Sequence, residues 1–372
     1  MSPDRPVPSP PRTAEASRSP GRPEPVAPLP EDTVTAVPHG EVVWGIQLPI
    51  QSQSTIYAAA WEAAAGPEEM AQVAQAADAA GAFYLGVCDH TAIPRRLAEA
   101  MGTVWYDTVA TLGWLAALTR RVRLLSHVLV LAQRHPLRAA KELATIDRLS
   151  AGRLIVGVGA GHVEEEYELL SGPFSDRGRH TDEALSALAI ALSHEFPVLP
   201  GPRWPAHDLG VAPRPLQVPR PPIWVGGSSP AALRRTAAFG DGWLPQGTRR
   251  ADLPAQIARL RQLRSELRPG AALDIGTIAE PLFLTGASSA SVPPDLPRYA
   301  LIGSAEQVAD SLRQLVAMGV DHLQVRFLAR SAQETCDQLA AFGAEVAPLF
   351  RSSRPSASPS NPSRPATSPS SP

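Results

Sequence analysis

The stretch Leu154-Ile-Val-Gly-Val-Gly-Ala-Gly-His162 decides how the whole chain is interpreted, because it looks like a nucleotide-binding loop after an apolar strand. A dinucleotide-binding loop spaces its glycines G-x-G-x-x-G and places a pyrophosphate at the N-terminus of the next helix. Here the third glycine falls one position early, and Glu164, Glu165 and Glu166 stand where a helix should attract phosphate. The glycines therefore serve another purpose, either a close approach of backbone to a planar group or a tight turn.

Outward from this strand, apolar β-type runs alternate with helical patterns along the chain. The runs are rich in Val, Ile and Leu without polar alternation, which is typical of a parallel sheet covered on both faces. Eight such βα units predict an α/β fold, a (β/α)8 TIM barrel with insertions in the βα loops, the largest at about 194–221. A doubly wound open sheet is the structural alternative. The predicted strands are Val42–Leu48, Phe83–Cys88, Val122–Leu129, Leu154–Val158, Ile223–Val225, Gly242–Pro245, Leu273–Ile278 and His322–Phe327, and the helices after them are Pro67–Ala80, Tyr106–Thr119, Pro136–Leu149, Arg179–Ser193, Pro230–Phe239, Leu253–Leu267, Ala305–Met318 and Ala332–Val346.

The two ends of the chain differ from the rest in composition. Residues 1–38 contain 11 prolines, and residues 352–372 contain 6 prolines among many serines. Neither segment has apolar periodicity, so neither can bury enough surface to offset the entropy of ordering it. Within the 372 residues we therefore predict a disordered Pro-rich tail over 1–38, a barrel domain over 39–351 and a disordered Ser/Pro-rich tail over 352–372.

Composition also argues against several classes of function. A formal net charge of −2 without a basic block predicts neither nucleic acid nor a membrane as a partner, and no apolar run reaches the length of a membrane span. The start of the chain lacks the apolar core of a secretion signal, and Cys88 and Cys336 fit a reducing compartment, so we expect a cytoplasmic protein. Lys141 is the only lysine, which argues against Schiff-base chemistry. No histidine pair has the H-x-x-x-H spacing of metal ligands, so we expect no metal.

Polar residues stand where the predicted strands end, which is where a (β/α)8 barrel carries its catalytic groups. The second strand ends in Asp89-His90, either an imidazole placed for acid–base chemistry or a pair that orders the loop. The third contains Ser126-His127-Val128, either a plain strand end or a kink against a flat ligand. The fifth leads through Gly226-Gly227-Ser228-Ser229 into a helix that has no acid at its start. This last loop is the better phosphate site, with a capping turn as the alternative.

Six segments, taken together and in order, resemble the luciferase-like superfamily of flavin and deazaflavin oxidoreductases, specifically its coenzyme F420-dependent class. The similarity extends from residue 43 to about residue 348. No single segment is decisive, but their common order is specific. The segments are Val87–Pro94, Arg134–Leu137 with Ala140–Arg153, Gly157–Gly161, Arg177–Arg179, Pro222–Leu233 and Gly240–Trp243.

The resemblance implies a bacterial luciferase-like barrel that forms a homodimer and holds the deazaflavin ring in its mouth. It implies that His90 acts beside the reactive carbon of the ring and that a non-proline cis peptide lies at His127–Val128. The cofactor-binding residues that it implies are Asp89, Ser126, His127, Val128, Ala160, Gly161, His162, Gly226, Gly227, Ser228 and Ser229, the last four for the phosphate.

The chain departs from the sugar-phosphate dehydrogenase branch of that superfamily in two places. His162 stands where that branch has a glutamate, and Pro94 stands where it has a tryptophan, although Trp105 follows in the same loop. These departures argue against glucose 6-phosphate and leave hydride exchange at a C=C, C=N or alcohol/ketone centre open. The weaker candidates for substrate contacts are Gln47, Trp105, Glu280 and Arg326.

The expected function is therefore a coenzyme F420-dependent oxidoreductase that transfers hydride between the deazaflavin and a small organic substrate. The nearest alternative is an FMN-dependent luciferase-like monooxygenase. A cofactor-free TIM-barrel isomerase or aldolase is the alternative from another class, and a cofactor-binding protein with little catalysis is a third.

Overall fold

Eight parallel strands close into a barrel in the computed structural model, which describes residues 34–52, 54, 58–199, 201–287, 292–293 and 296–351. The strands are β1 (Val43–Gln47), β2 (Tyr84–Val87), β3 (Arg123–Ser126), β4 (Leu129–Val130), β5 (Leu154–Gly159), β6 (Ile223–Gly226), β7 (Gly242–Leu244), β8 (Asp274–Ile278), β9 (Leu282–Leu284), β10 (Leu301–Gly303) and β11 (His322–Val325). The barrel runs β1, β2, β3, β5, β6, β7, β8, β11 and back to β1. β4 continues β3 and pairs with β5, while β9 and β10 form a separate parallel pair. The (β/α)8 barrel predicted from the sequence is confirmed.

Helices surround this barrel and bury their apolar faces against the outward side chains of the strands. Several begin at an N-cap side chain, including His135, Ser229 and Ser304, whose side chains accept hydrogen bonds from the first turn. No helix in the described part of the chain is both long enough and apolar enough to cross a membrane. The helices are α1 (Pro67–Ala79), α2 (Ala98–Met101), α3 (Thr108–Leu118), α4 (Pro136–Leu149), α5 (Glu164–Ser171), α6 (Arg177–Ser193), α7 (Pro230–Phe239), α8 (Leu253–Leu267), α9 (Ala305–Ala317), α10 (Ala332–Ala341) and α11 (Ala347–Arg351).

The barrel interior is filled by large rings, each lying over a glycine on the neighbouring strand. A Cβ atom on Gly45 would lie 2.5 Å from the ring of Tyr84, its register partner on β2. Trp224 covers Gly242 in the same way, with 2.2 Å to a Cβ placed there. His322 then stacks on Trp224, with ring centroids 4.0 Å apart. Each ring thus occupies the space that a side chain would take at the paired glycine, and the rings fill the interior of the barrel.

A bulge separates β3 from β4, and the peptide bond His127–Val128 within it is cis, as the resemblance implied. The side chain of Val128 fills the space between two glycines of the next strands. A Cβ on Gly159 would lie 2.4 Å from Val128 Cγ2, and a Cβ on Gly226 would lie 2.8 Å from Val128 Cγ1. Both positions therefore require glycine because of packing, independently of any ligand.

The predicted N-terminal tail extended too far. Most of 1–38, and all of 352–372, lie outside the described residues, but Ala36 and Val37 are buried against the barrel. Their backbone N–H groups donate to Oδ2 of Asp274, at 2.8 and 3.4 Å, and Trp224 Nε1 donates to the same oxygen at 3.0 Å. Composition could not reveal this because two apolar residues among prolines carry no periodic signal.

Candidate active site

His90 follows β2 at the C-terminal rim of the barrel, and its ring is held by a glutamate from α5. Nδ1 of His90 lies 2.8 Å from Oε2 of Glu166, and the two side chains are 10% and 2% exposed. The other oxygen, Oε1, accepts hydrogen bonds from the backbone N–H groups of Thr91 and, at 3.0 Å, Ala92. Burial acts to raise the pKa of Glu166, but the hydrogen bonds from His90, Ala92 and Thr91 outweigh it and lower that pKa. Glu166 is therefore an ionised carboxylate with partners on both oxygens.

Two further rings flank His90. Trp105 packs edge-to-face on it with centroids 4.5 Å apart, and His162 lies edge-on at 5.4 Å. Trp105 is held in place by an antiparallel bridge to Ser52. His162 is exposed at the rim, yet the protein packed around its ring, together with the neighbouring His90, lowers its pKa. The structure thus brings together His90, Trp105 and His162, which come from two different βα loops.

Both carboxylate oxygens of Asp89 accept hydrogen bonds from other residues of the protein. Its Oδ2 accepts hydrogen bonds from Arg134 Nη1 at 2.7 Å and from the N–H of Val130 at 2.9 Å. Its Oδ1 accepts from Arg134 Nη2 at 3.0 Å and from the hydroxyl of Thr108 at 2.9 Å. The bidentate ion pair joins the loop after β2 to the segment before α4, and the bonds from Val130 and Thr108 join it to β4 and α3, so together they fix the backbone from which His90 extends. A direct contact between Asp89 and a cofactor stays a prediction.

Gln51 is a second organiser of this loop, and sequence reasoning missed it. Its side chain is fully buried. Oε1 accepts a hydrogen bond from the N–H of Cys88, and Nε2 donates to the carbonyls of Cys88 and Tyr106, all at 2.9–3.0 Å. The amide therefore ties the start of the His90 loop to the segment that carries Trp105. Nothing in the surrounding sequence distinguishes this glutamine from a surface residue.

The predicted residues on β3 and β5 form the wall beside the bulge. Ser126 donates its hydroxyl to the carbonyl of Gly157 and accepts from the N–H of the same residue, each at 2.9 Å, so it joins the two strands. His127 is half-buried, but the protein packed around its ring lowers its pKa to about 4, and its buried Nδ1 has no hydrogen-bond partner among the described residues. Ala160 and Gly161 continue past the end of β5 and are half-buried, with Gly161 at a φ of +76°. These neutral groups present an uncharged wall at the rim.

The loop Gly226–Ser229 turns from β6 into α7. Gly227, with a φ of +110°, donates its N–H to the carbonyl of Leu244, and its own carbonyl accepts from the indole N–H of Trp243. Ser228 accepts a hydrogen bond from the hydroxyl of Thr248 at 2.6 Å. Ser229 caps α7, whose first turn carries no acid. The loop therefore has the electrostatic character of an anion site, which the glutamate-rich start of α5 lacks.

The weaker candidates for substrate contacts lie in different parts of the structure. Gln47 ends β1 and is half-buried. Arg326 follows β11 and interacts electrostatically with the buried carboxylate of Glu62. Glu280 forms an ion pair with Arg250 at 3.1 Å, and that arginine also bonds to α9, so the contacts of Glu280 are to the helical layer. Within the described residues, no group of three or more His, Cys, Asp or Glu side chains is arranged to hold a metal ion.

Comparison with known proteins agrees with this architecture. The family model of the luciferase-like monooxygenases matches residues 44–292. The chain belongs to this family. It is 31% identical over 221 residues to an uncharacterized protein of Mycobacterium tuberculosis, covering 56% of this chain and 75% of that protein. It is 25% identical over 339 residues to an F420-dependent glucose-6-phosphate dehydrogenase of Intrasporangium calvum, covering 78% of this chain and 98% of that protein. It is 29% identical over 159 residues to an FMNH2-dependent dimethylsulfone monooxygenase of Pseudomonas putida, covering 42% of this chain and 44% of that protein.

Solved structures share the fold of this chain. A monooxygenase from Streptomyces bottropensis superposes with a TM-score of 0.65 at 22% identity, covering 83% of this chain and 100% of that one. The coenzyme F420-dependent tetrahydromethanopterin reductase of Methanopyrus kandleri gives a TM-score of 0.62 at 17% identity, covering 83% and 99%. The protein is thus a luciferase-like oxidoreductase or monooxygenase, from a family with both F420-dependent and flavin-dependent members. Membership in this family replaces the isomerase and aldolase alternative.

Proposed function

We propose that this luciferase-like protein is a coenzyme F420-dependent oxidoreductase that transfers hydride between the deazaflavin and a small organic substrate. The observation that carries the proposal is the His90–Glu166 pair at the barrel rim, with Nδ1 and Oε2 2.8 Å apart. Hydride transfer to or from an alcohol, ketone or imine carbon requires a proton to leave or join the neighbouring heteroatom. A histidine whose ring is oriented by a carboxylate is suited to that proton transfer.

The loop after β6 and the bulge after β3 fit a phosphate-bearing planar cofactor. Gly227 can carry no Cβ without crowding, since a Cβ there would lie 3.0 Å from that of Ala232, and the loop leads into an acid-free helix start. Ser228 and Ser229 would hold the phosphate by backbone N–H groups and hydroxyls, and Gly226 and Gly227 would leave room for it at the turn, since the N–H of Gly227 already donates to Leu244. The buried Nδ1 of His127, without a partner among the described residues, is a further polar group beside the bulge. When bound, the deazaflavin supplies the hydride-accepting or hydride-donating carbon.

Within this proposal, the chain's own residues bind, orient and exclude water. Val128, Ala160 and Gly161 would form one wall of the cofactor site, and Trp105 and His162 pack against the ring of His90. Asp89, held by Arg134, keeps the loop in place. The cluster around His90 therefore holds a proton-transferring nitrogen in a partly dry environment, where its interaction with Glu166 is stronger than in water.

The choice of F420 over FMN is supported by coverage along the chain. The match to the F420-dependent dehydrogenase extends over 98% of that protein, whereas the matches to the FMNH2-dependent dimethylsulfone monooxygenases of Pseudomonas putida and Pseudomonas fluorescens extend over 44% and 78% of those proteins. The second candidate function is an FMN-dependent monooxygenase, which is favoured by the higher identity of the shorter match, 29% against 25%. His162 in place of the glutamate of the sugar-phosphate branch argues against glucose 6-phosphate as the substrate.

Cofactor titration separates the two candidates. Purified protein is titrated with oxidised F420 and, separately, with FMN and reduced FMN, and binding is followed by fluorescence. We expect micromolar binding of F420, and turnover of F420 with members of a panel of secondary alcohols, enones and imines. Micromolar binding of FMN without binding of F420 would assign the monooxygenase function instead. Binding of neither would contradict the redox proposal altogether.

We further propose that the enzyme acts on a small molecule as a homodimer in the cytoplasm, without nucleic acid or membrane partners. Both cysteines are free thiols in the structure, which is compatible with a reducing compartment. Light scattering coupled to gel filtration measures the mass directly. A mass of one chain, 39.4 kDa, at micromolar concentration would contradict the dimer.

A further inference from the structure

We infer that Glu166 is a positioning residue whose two oxygens have separate tasks, one of which is to fix the tautomer of His90. Oε1 accepts hydrogen bonds from the N–H groups of Thr91 and Ala92, and Oε2 faces Nδ1 of His90. The role of His90 in proton transfer rests on the proposed function, whereas the tautomer assignment does not.

The carboxylate can only accept hydrogen bonds when it is ionised, and the lowered pKa of Glu166 keeps it ionised at neutral pH. Nδ1 of His90 must therefore carry the proton in the 2.8 Å contact with Oε2. In the neutral imidazole the unprotonated nitrogen is then Nε2. Within the described residues Nε2 of His90 has no hydrogen-bond partner, so it is the nitrogen left to take a proton from a substrate.

The two backbone donors make the orientation of this side chain predictable after substitution. In Glu166→Gln the amide has one oxygen and one NH2 group, and the N–H groups of Thr91 and Ala92 both require the oxygen. The NH2 group then occupies the place of Oε2 and donates to Nδ1 of His90. The neutral ring must move its proton to Nε2, so the substitution reverses the tautomer while it preserves the hydrogen bonds of the loop.

The neighbouring Glu165 provides a matched control. It lies one residue earlier on α5 and pairs with Arg96, but both of these side chains are about half exposed, at 47% and 59%. Glu165→Gln makes the same chemical change on the same helix and removes only a solvent-exposed ion pair. It leaves the environment of His90 unchanged.

The test is the 15N NMR spectrum of the histidine rings in full-length protein, at a pH where imidazoles are neutral, with His90 assigned by its loss in His90→Gln. We expect a protonated Nδ1 in the wild-type protein and in Glu165→Gln, and a protonated Nε2 in Glu166→Gln. A wild-type ring protonated at Nε2, or an unchanged tautomer in Glu166→Gln, would overturn the inference. The wild-type spectrum suffices if Glu166→Gln fails to fold.

This measurement needs neither cofactor nor substrate, so it is independent of the proposed function. If F420 binds and a substrate is found in the panel, reversal of the tautomer should lower kcat by about 10²–10⁴-fold while F420 affinity stays within several-fold. A reversed tautomer with unchanged kcat would support the positioning role of Glu166 and contradict proton transfer by His90.

Discussion

Nδ1 of His90 and Oε2 of Glu166 are 2.8 Å apart although the residues are 76 positions apart in the chain. The contact joins the loop after β2 to the first turn of α5, which follows β5. Because β2 and β5 both border β3 in the barrel, the loops at their C-terminal ends meet above that strand. Closure of the sheet therefore brings His90 and Glu166 together. At the start of α5, Glu166 holds the histidine and the glutamates leave no anion site there.

The first prediction concerns the role of His90 in turnover. We expect His90→Ala to lower kcat by about 10²–10⁴-fold in any substrate of the panel, with the F420 dissociation constant changed by only several-fold, because the ring transfers a proton and does not hold the cofactor. Steady-state kinetics and fluorescence titration measure the two quantities. His207→Ala is the control, since that side chain is 80% exposed in the insertion. Unimpaired turnover in His90→Ala would remove this residue from the mechanism.

The second prediction concerns the glycines that surround Val128. Gly226→Ala places a Cβ 2.8 Å from Val128 Cγ1, and we expect the free energy of unfolding to fall by about 1–3 kcal/mol. Gly113→Ala is the control, because a Cβ on this residue of α3 meets no heavy atom within 4 Å apart from the backbone of its own helix. In a helix this change should be neutral or stabilising by up to about 1 kcal/mol. Urea denaturation measures both; equal stabilities of the two variants would contradict the packing interpretation.

The third prediction concerns Asp274 and the pH dependence of stability. Burial raises its pKa from 3.8 to about 7, with Asp321 adding to the effect and the hydrogen bonds from Ala36, Trp224 and Val37 opposing it. The neighbouring Arg123 also interacts with it electrostatically. Because the folded-state pKa lies above the unfolded one, the folded protein holds the proton more tightly. The stabilising contribution is therefore largest below about pH 4 and is lost as pH rises towards 7.

Asp274→Asn keeps an acceptor oxygen and abolishes this titration. The difference in unfolding free energy, variant minus wild type, should increase from about pH 4 to about pH 7 by on the order of 3 kcal/mol and stay constant above that range. Chemical denaturation at several pH values measures it. Asp208→Asn, at a 95% exposed side chain, serves as the control. A difference that is constant between pH 4 and 7 would refute the assignment.

The fourth prediction concerns the Asp89–Arg134 ion pair. We expect Arg134→Met to lower the free energy of unfolding by about 3–5 kcal/mol, because it leaves a buried carboxylate without its cation. Arg138→Met removes the partner of Glu142 at a 78% exposed site and should cost less than about 1 kcal/mol. Combining Arg134→Met with Asp89→Asn should recover part of the loss. Additive costs in that double variant would show that the two side chains do not interact.

Local sequence signals were enough for much of the fold. Pro136 after His135, with Gly152 beyond the last apolar residue, predicted a helix whose observed bounds are Pro136–Leu149. Ser229 before Pro230 did the same for α7. Such ends are encoded locally, because capping side chains and proline act within a few residues. The alternation of these helices with apolar runs then predicted the barrel.

The roles of single residues at the site were less accessible. Gly226 was read as part of a phosphate loop, and the structure shows that it also leaves room for Val128 from another strand. Glu164, Glu165 and Glu166 are indistinguishable in sequence, yet Glu166 alone is buried and bound to His90. The direction in which each glutamate points depends on which helix face meets the neighbouring loop, and that is a property of the packed barrel.

The sequence by itself determined the eight βα units, the family and the rim position of Asp89-His90, because periodicity, caps and motif order are written in neighbouring residues. Only the tertiary structure decided which partners those residues have. Asp89 pairs with Arg134, His90 pairs with Glu166, and Asp274 accepts hydrogen bonds from the backbone of Ala36 and Val37. These pairs connect residues between 45 and 238 positions apart. Closure of the barrel brings them within hydrogen-bond distance, and burial makes each contact strong enough to fix charge and orientation.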